Sequence, residues 1–81
     1  MSVAEDLLAV VRLLVDEPRQ AAVEAIPVGD ADAVELRLRT AETDRGKVIG
    51  RRGRTIDALR SLARARGARD GRAIEVELLD D

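Results

Sequence analysis

The chain has 81 residues, a net charge of −2, and no cysteine, histidine or aromatic residue. Disulfides, thiolate or histidine metal sites and Ser-His or Cys-His catalysis are therefore excluded, and no catalytic residue, metal or cofactor is expected. The aromatic platforms on which many single-strand binders stack bases are missing too, so any nucleic acid must be held by charge, backbone amides and aliphatic contacts.

The length fits one small domain spanning 1–81, at a size where the core is barely sufficient. The first element is a helix from about Val3 to Val15, with Val3, Leu7, Val10, Val11 and Leu14 on one stripe. Ser2 is its expected N-cap, with Glu5 completing a capping box, and Pro18 follows the end. This start lacks the basic head of a signal peptide, and no apolar run is long enough to span a bilayer, so a cytoplasmic protein is expected.

The stretch AAVEAIPV reads as a short strand whose alternation is impure and whose Pro27 suits a sheet edge. GDADA then makes a polar turn into AVELRLR (33–39), where Val34, Leu36 and Leu38 alternate with Glu35, Arg37 and Arg39. The two runs form an expected hairpin. Asp44 is placed to cap a short helix ending at Ile49, with Gly50 as its C-terminal glycine. A longer helix that starts after Gly53 and runs to about Arg66 puts Ile56, Leu59, Leu62 and Ala63 on its inner stripe, and Gly67 closes it. The last strand, AIEVEL, buries Ile74, Val76 and Leu78. It sets Glu75 and Glu77 across from Arg37 and Arg39 if the strands are neighbours. The expected fold is thus α+β in the order α-β-β-α-α-β, a three-stranded sheet covered on one face by three helices.

The net charge conceals a strong segregation. Between Arg45 and Arg72 there are ten basic residues against Asp57 and Asp70, a local charge of +8 that leaves −10 on the rest. An anion-binding face on an acidic body has this pattern. Arg60, Arg64 and Arg66 are expected on a solvated helix face, with a phosphate rail as their second use.

The centre of that segment is Gly50-Arg51-Arg52-Gly53, set between two helical stretches. Glycines let the chain turn and let a phosphate approach the backbone, new helix amides point outward, and two forked cations sit on the turn. Arg45, Lys47 and Arg54 extend the positive surface. A bare Gly-x-x-Gly is weak evidence, whereas Ile49 before the loop and Ile56 and Leu59 after it make the pattern specific.

These residues resemble the KH-domain signature I-G-x-x-G-x-x-I-x-x-[IL], and the element order resembles the type II, prokaryotic form. LVDEP (14–18), DRGKVIGRRGR (44–54) and VELLD (76–80) look like the small single-KH proteins of bacteria, the KhpA (YlqC-like) family. The resemblance implies a groove for about four single-stranded nucleotides. Gly50, Arg51, Arg52 and Gly53 would hold phosphates, Lys47 and Arg54 would flank them, and a strand edge would add polar contacts. Val48, Ile49 and Ile56 would form part of the floor, and are core residues whatever else they do. It further implies an RNA chaperone or post-transcriptional regulator that pairs with itself or with a larger KH-containing partner, KhpB. The thin, aromatic-free core independently suggests a dimer. The Arg-Arg pair departs from the one basic and one polar residue common in relatives, and should favour affinity over sequence preference. The competing reading is a protein–protein adaptor that uses the KH fold as a dimerisation scaffold.

Overall fold

The computed structural model describes residues 2–29 and 32–80. Helix α1 runs Val3–Leu14 and starts on the expected capping box: the Ser2 hydroxyl accepts from Glu5 N (3.1 Å), and the Glu5 carboxylate accepts from Ser2 N (3.3 Å). Leu7 and Val11 are buried, but Leu14 at the fraying end is 41% exposed and leaves the expected stripe. A single 3-10 turn at Pro18–Gln20 redirects the chain into strand β1, Ala22–Pro27.

β1 pairs antiparallel with β2, Ala33–Arg39, in the register Ala22↔Arg39 to Pro27↔Val34. The two central residues of the polar turn between them, Asp30 and Ala31, lie outside the described residues. β3, Ala73–Leu78, pairs parallel with the other side of β2, giving the sheet order β1-β2-β3. β1 is therefore an edge strand, which tolerates Pro27 and its missing N–H. Its impure alternation follows from partial cover: Val23 faces the core opposite Leu38, while Ile26 lies beside Glu35 on the open face.

Helix α2, Arg45–Ile49, and helix α3, Arg54–Arg69, complete the layer that, with α1, covers one face of the sheet. Leu36, Leu38, Val11 and Val48 are fully buried at its centre. Each such side chain contributes about 1.5–3 kcal/mol of hydrophobic stabilisation. In α3 the buried residues are Ile56, Leu59, Ala63 and Gly67, spaced three or four apart. That spacing turns Leu62 sideways, and it is 57% exposed rather than on the inner stripe.

Gly67 does not end α3, which continues to Arg69 and closes at Asp70, whose N–H reaches Gly67 O (2.9 Å). The glycine serves close packing instead. A Cβ there would lie 2.1 Å from Ile74 Cγ1 and 3.0 Å from Arg72 O, so only a bare Cα lets β3 cross under the helix.

The parallel register also corrects the expected charge pairing. Glu77 lies beside Arg37, but Glu75 lies beside Glu35, and Arg39 falls beyond the β3 glutamates. A hydrogen bond with Glu35 and its like charge hold the Glu77 carboxyl above its ordinary range, against the pull of Arg37.

Asp44 occupies the N-cap position of α2 without capping it. Its side chain is almost wholly buried (1% exposed) and accepts from Asp16 N at 3.0 Å and Glu17 N at 2.9 Å. A buried carboxylate requires such donors, and each charged bond contributes about 1.5–3 kcal/mol. The start of α2 is thereby tied to the end of α1.

Candidate nucleic-acid interface

α2 stops because Gly50 takes φ 75°, ψ 173°, with its N–H bonded to Gly46 O (2.9 Å). This region of backbone space belongs essentially to glycine. Space forbids a side chain as well: a Cβ at Gly50 would lie 2.2 Å from Thr55 Oγ1 and 2.9 Å from Thr55 N. The start of α3 is folded directly against the loop's first residue.

From Gly50 the chain makes one tight 3-10 turn, Arg51–Gly53, closed by Gly53 N to Gly50 O (3.1 Å) and by Arg54 N to Arg51 O. Arg52 (φ 57°, ψ 26°) and Gly53 (φ 74°, ψ 13°) are both left-handed. Arg52 is the only non-glycine with positive φ among the described residues, a strain of about 1–2 kcal/mol held at the tip of the loop. Two amides expected to point outward, those of Gly53 and Arg54, are spent inside the turn. The first turn of α3 has no side-chain cap, and its one carboxylate, Asp57, is met by Arg60 at 3.4 Å.

The basic residues divide into two sets. Arg45 donates to Leu79 O (3.2 Å) and Leu78 O (3.5 Å), and Arg60 to Val76 O (3.3 Å). Arg64 meets Glu75 at 3.7 Å, and Arg66 bridges Asp6 (3.0 Å) and Asp70 (2.7 Å). Arg60, Arg64 and Arg66 thus each have a partner, with Arg64 still exposed on the solvated helix face. Lys47 pairs with Asp16, whose hydrogen bond holds the ammonium pKa above its ordinary value. By contrast, Arg51, Arg52 and Arg54 are exposed and have no ion pair with any described residue, a property shared by Arg69 and Arg72 at the far end of α3.

The sequence-derived site residues are contiguous, although their surfaces differ. Gly50, Ile49 and Gly53 are half-buried, while Val48 is fully buried and Ile56 only 6% exposed. Ile49 alone of the three aliphatics offers substantial surface beside the loop, and the other two pack behind it. For Arg45 and Arg60, which the sequence placed on the positive surface and the helix face, strand order adds a position at the sheet edge. Ala73 N and Leu79 N bond to Asp32 O and Leu38 O, so the polar groups of Ile74, Val76 and Leu78 face the free edge of β3. Arg60 sits on the Val76 carbonyl of that edge, and Arg45 reaches the Leu78 carbonyl there while bonding Leu79 O just beyond the strand. No group of three or more metal-ligating side chains occurs among the described residues, and none of their helices is long and apolar enough to cross a membrane.

A sequence model described as KhpA/KhpB, KH domain, matches residues 4–78. Among curated proteins, the chain is 40% identical over 78 residues to the RNA-binding protein KhpA of Leifsonia xyli, covering 96% of this chain and 97% of the relative. It is 38% identical over 71 residues to the RNA-binding protein KhpA of Borreliella burgdorferi (88% and 84% covered). With the RNA-binding protein KhpA of Bacillus subtilis it shares 35% over 77 residues (94% and 93% covered).

Proposed function

Because the chain belongs to the KhpA/KhpB KH-domain family, a bacterial family of RNA-binding proteins and not of enzymes, we propose that it binds single-stranded RNA through Gly50–Gly53. The observation that carries this reading is the sorting of charge: the loop arginines Arg51, Arg52 and Arg54 are exposed, with no ion pair to any described residue, beside a helix start that lacks a side-chain cap. The phosphates run over Gly50, Arg51, Arg52 and Gly53, with Lys47 and Arg54 at either end. Ile49 lies under the bases, supported from behind by Val48 and Ile56, and the free edge of β3 supplies polar contacts. The whole chain acts as one KH domain in the cytoplasm, as an RNA chaperone or post-transcriptional regulator.

Titration with a fluorescent single-stranded RNA and with a blunt RNA duplex tests this. The single strand should bind at least about tenfold more tightly, since splayed bases and a narrow groove favour it. Equal binding of both would replace the groove with a general polyanion surface. Failure of both to bind would favour the adaptor reading.

We further propose that two copies pair, or that one copy pairs with a KhpB-type protein, through the face shared by α1 and α3. There a hollow of about 210 Å³ is lined by Val3, Leu7, Val10, Leu62 and Ala63 together with the ion-paired Asp6 and Arg66; Leu62 is 57% exposed, and Leu13 on α1 is 86% exposed. Exposed leucines beside an apolar hollow favour association. Light scattering at micromolar concentration should give a dimer that Leu62→Glu converts to monomer. A strictly monomeric wild type would remove the homodimer.

A further inference from the structure

Resting on the reading of Gly50–Gly53 as the RNA-binding loop, a second feature concerns LVDEP (14–18), which contributes nothing to the loop itself. The fold brings it against DRGKVIGRRGR (44–54) at two points. The buried Asp44 carboxylate takes the N–H groups of Asp16 and Glu17, one on each oxygen. Two charged hydrogen bonds to consecutive amides fix this short segment. The Asp16 side chain is thereby presented to the ammonium of Lys47, in the last turn of α2 and three residues before Gly50.

The pair is superficial, with Lys47 46% and Asp16 73% exposed at the side chain. A carboxylate and an RNA phosphate offer an ammonium the same kind of charged oxygen acceptor. An exposed pair is also weak enough to be exchanged without unfolding anything. Arg51, Arg52 and Arg54 have no ion pair with any described residue, so among the cations assigned to the RNA only Lys47 is matched to a carboxylate.

We propose that Asp16 is an affinity-determining residue. It is an intramolecular competitor of RNA phosphate for Lys47, held in place by Asp44 as a positioning residue. RNA binding exchanges one acceptor for another at Lys47, and the position of that exchange sets how tightly the loop binds. Lys47 then contributes less to the counterion-release term than a free cation does.

The test compares wild type, Asp16→Asn, Lys47→Ala and the double variant against one short single-stranded RNA over a range of salt. Asp16→Asn keeps its backbone N–H for Asp44, so the thermal midpoint should stay in place. Its affinity at low salt should rise about two- to fivefold, the range of an exposed ion pair. The plot of log affinity against log salt should steepen, by up to about 0.7, the share of one phosphate on a single strand, because Lys47 then enters the complex as a cation with no carboxylate to give up. In the Lys47→Ala background, Asp16→Asn should change neither quantity. Unchanged affinity and slope in Asp16→Asn would overturn the proposal, as would an equal gain in the Lys47→Ala background, which would reflect general charge alone. If wild-type RNA binding is present and depends on Arg51 and Arg52, such a result leaves the loop assignment standing. If wild-type binding is missing, both fall together.

Discussion

Reversing both loop arginines, Arg51→Asp with Arg52→Asp, is expected to weaken single-stranded RNA binding at least about 100-fold while the fold survives. Each charged hydrogen bond to phosphate is worth about 1.5–3 kcal/mol, and reversal adds repulsion to the loss. Folding should be little affected, because both side chains are exposed and have no ion pair with a described residue. Position 52 is left-handed, a conformation that aspartate adopts more readily than most residues. Anisotropy titration and thermal denaturation measure the two effects. A folded double variant that binds RNA normally would remove the loop from the interface.

The largest stability effect should come from Gly50→Ala. The conformation at Gly50 costs a side chain about 1–3 kcal/mol, and the added Cβ also meets the Thr55 backbone nitrogen, which cannot rotate away. A loss of about 2–4 kcal/mol is expected, which lowers the melting temperature by roughly 10–25 °C for a domain of this size. The fraction still folded should bind RNA more weakly, since the turn that carries Arg51 and Arg52 is displaced. Gly46→Ala is the matched control. It lies in α2 with no atom within 4 Å of the added carbon, and should be neutral or raise stability by about 0.5–1 kcal/mol. If both alanines are tolerated alike, Gly50 is not the pivot of the turn.

What was legible in the sequence is what local physics decides. The Ser2–Glu5 capping box, the alternation of AVELRLR and AIEVEL, and the order of elements all depend on residues within a few positions of one another. The break between α2 and α3 belongs to the same class, because Gly50 and Gly53 announce backbone that other residues avoid. Misreadings arose where a distant element intervened. Asp44 looked like a helix cap, yet its partners lie 27 and 28 residues away, and two backbone amides outcompeted the local bond. Gly67 looked like a stop, but β3 passing beneath it is the reason for a glycine there. Leu62 and Leu14 satisfy a helical stripe on paper and project from the sides of their helices in space.

Within the site, sequence spacing identified a contiguous set of residues without separating the cations that have no ion pair with a described residue from the committed ones. Lys47 and Arg51 look equivalent in the string, and only the placement of Asp16 against Lys47 distinguishes them. Arg45 and Arg60 likewise gain a role on the free edge of β3 only when β3 is known to flank β2 and not β1. Neither the counter-ion nor the edge is encoded within a few residues of the cation it engages.

The most direct measurement is a titration of uniformly 15N-labelled protein with a short single-stranded RNA, followed amide by amide. The largest shift changes should fall on residues 46–56 and on the free-edge amides of Ile74, Val76 and Leu78. Changes confined to the α1–α3 face or to the open face of the sheet, with the loop amides unmoved, would contradict RNA binding at Gly50–Gly53.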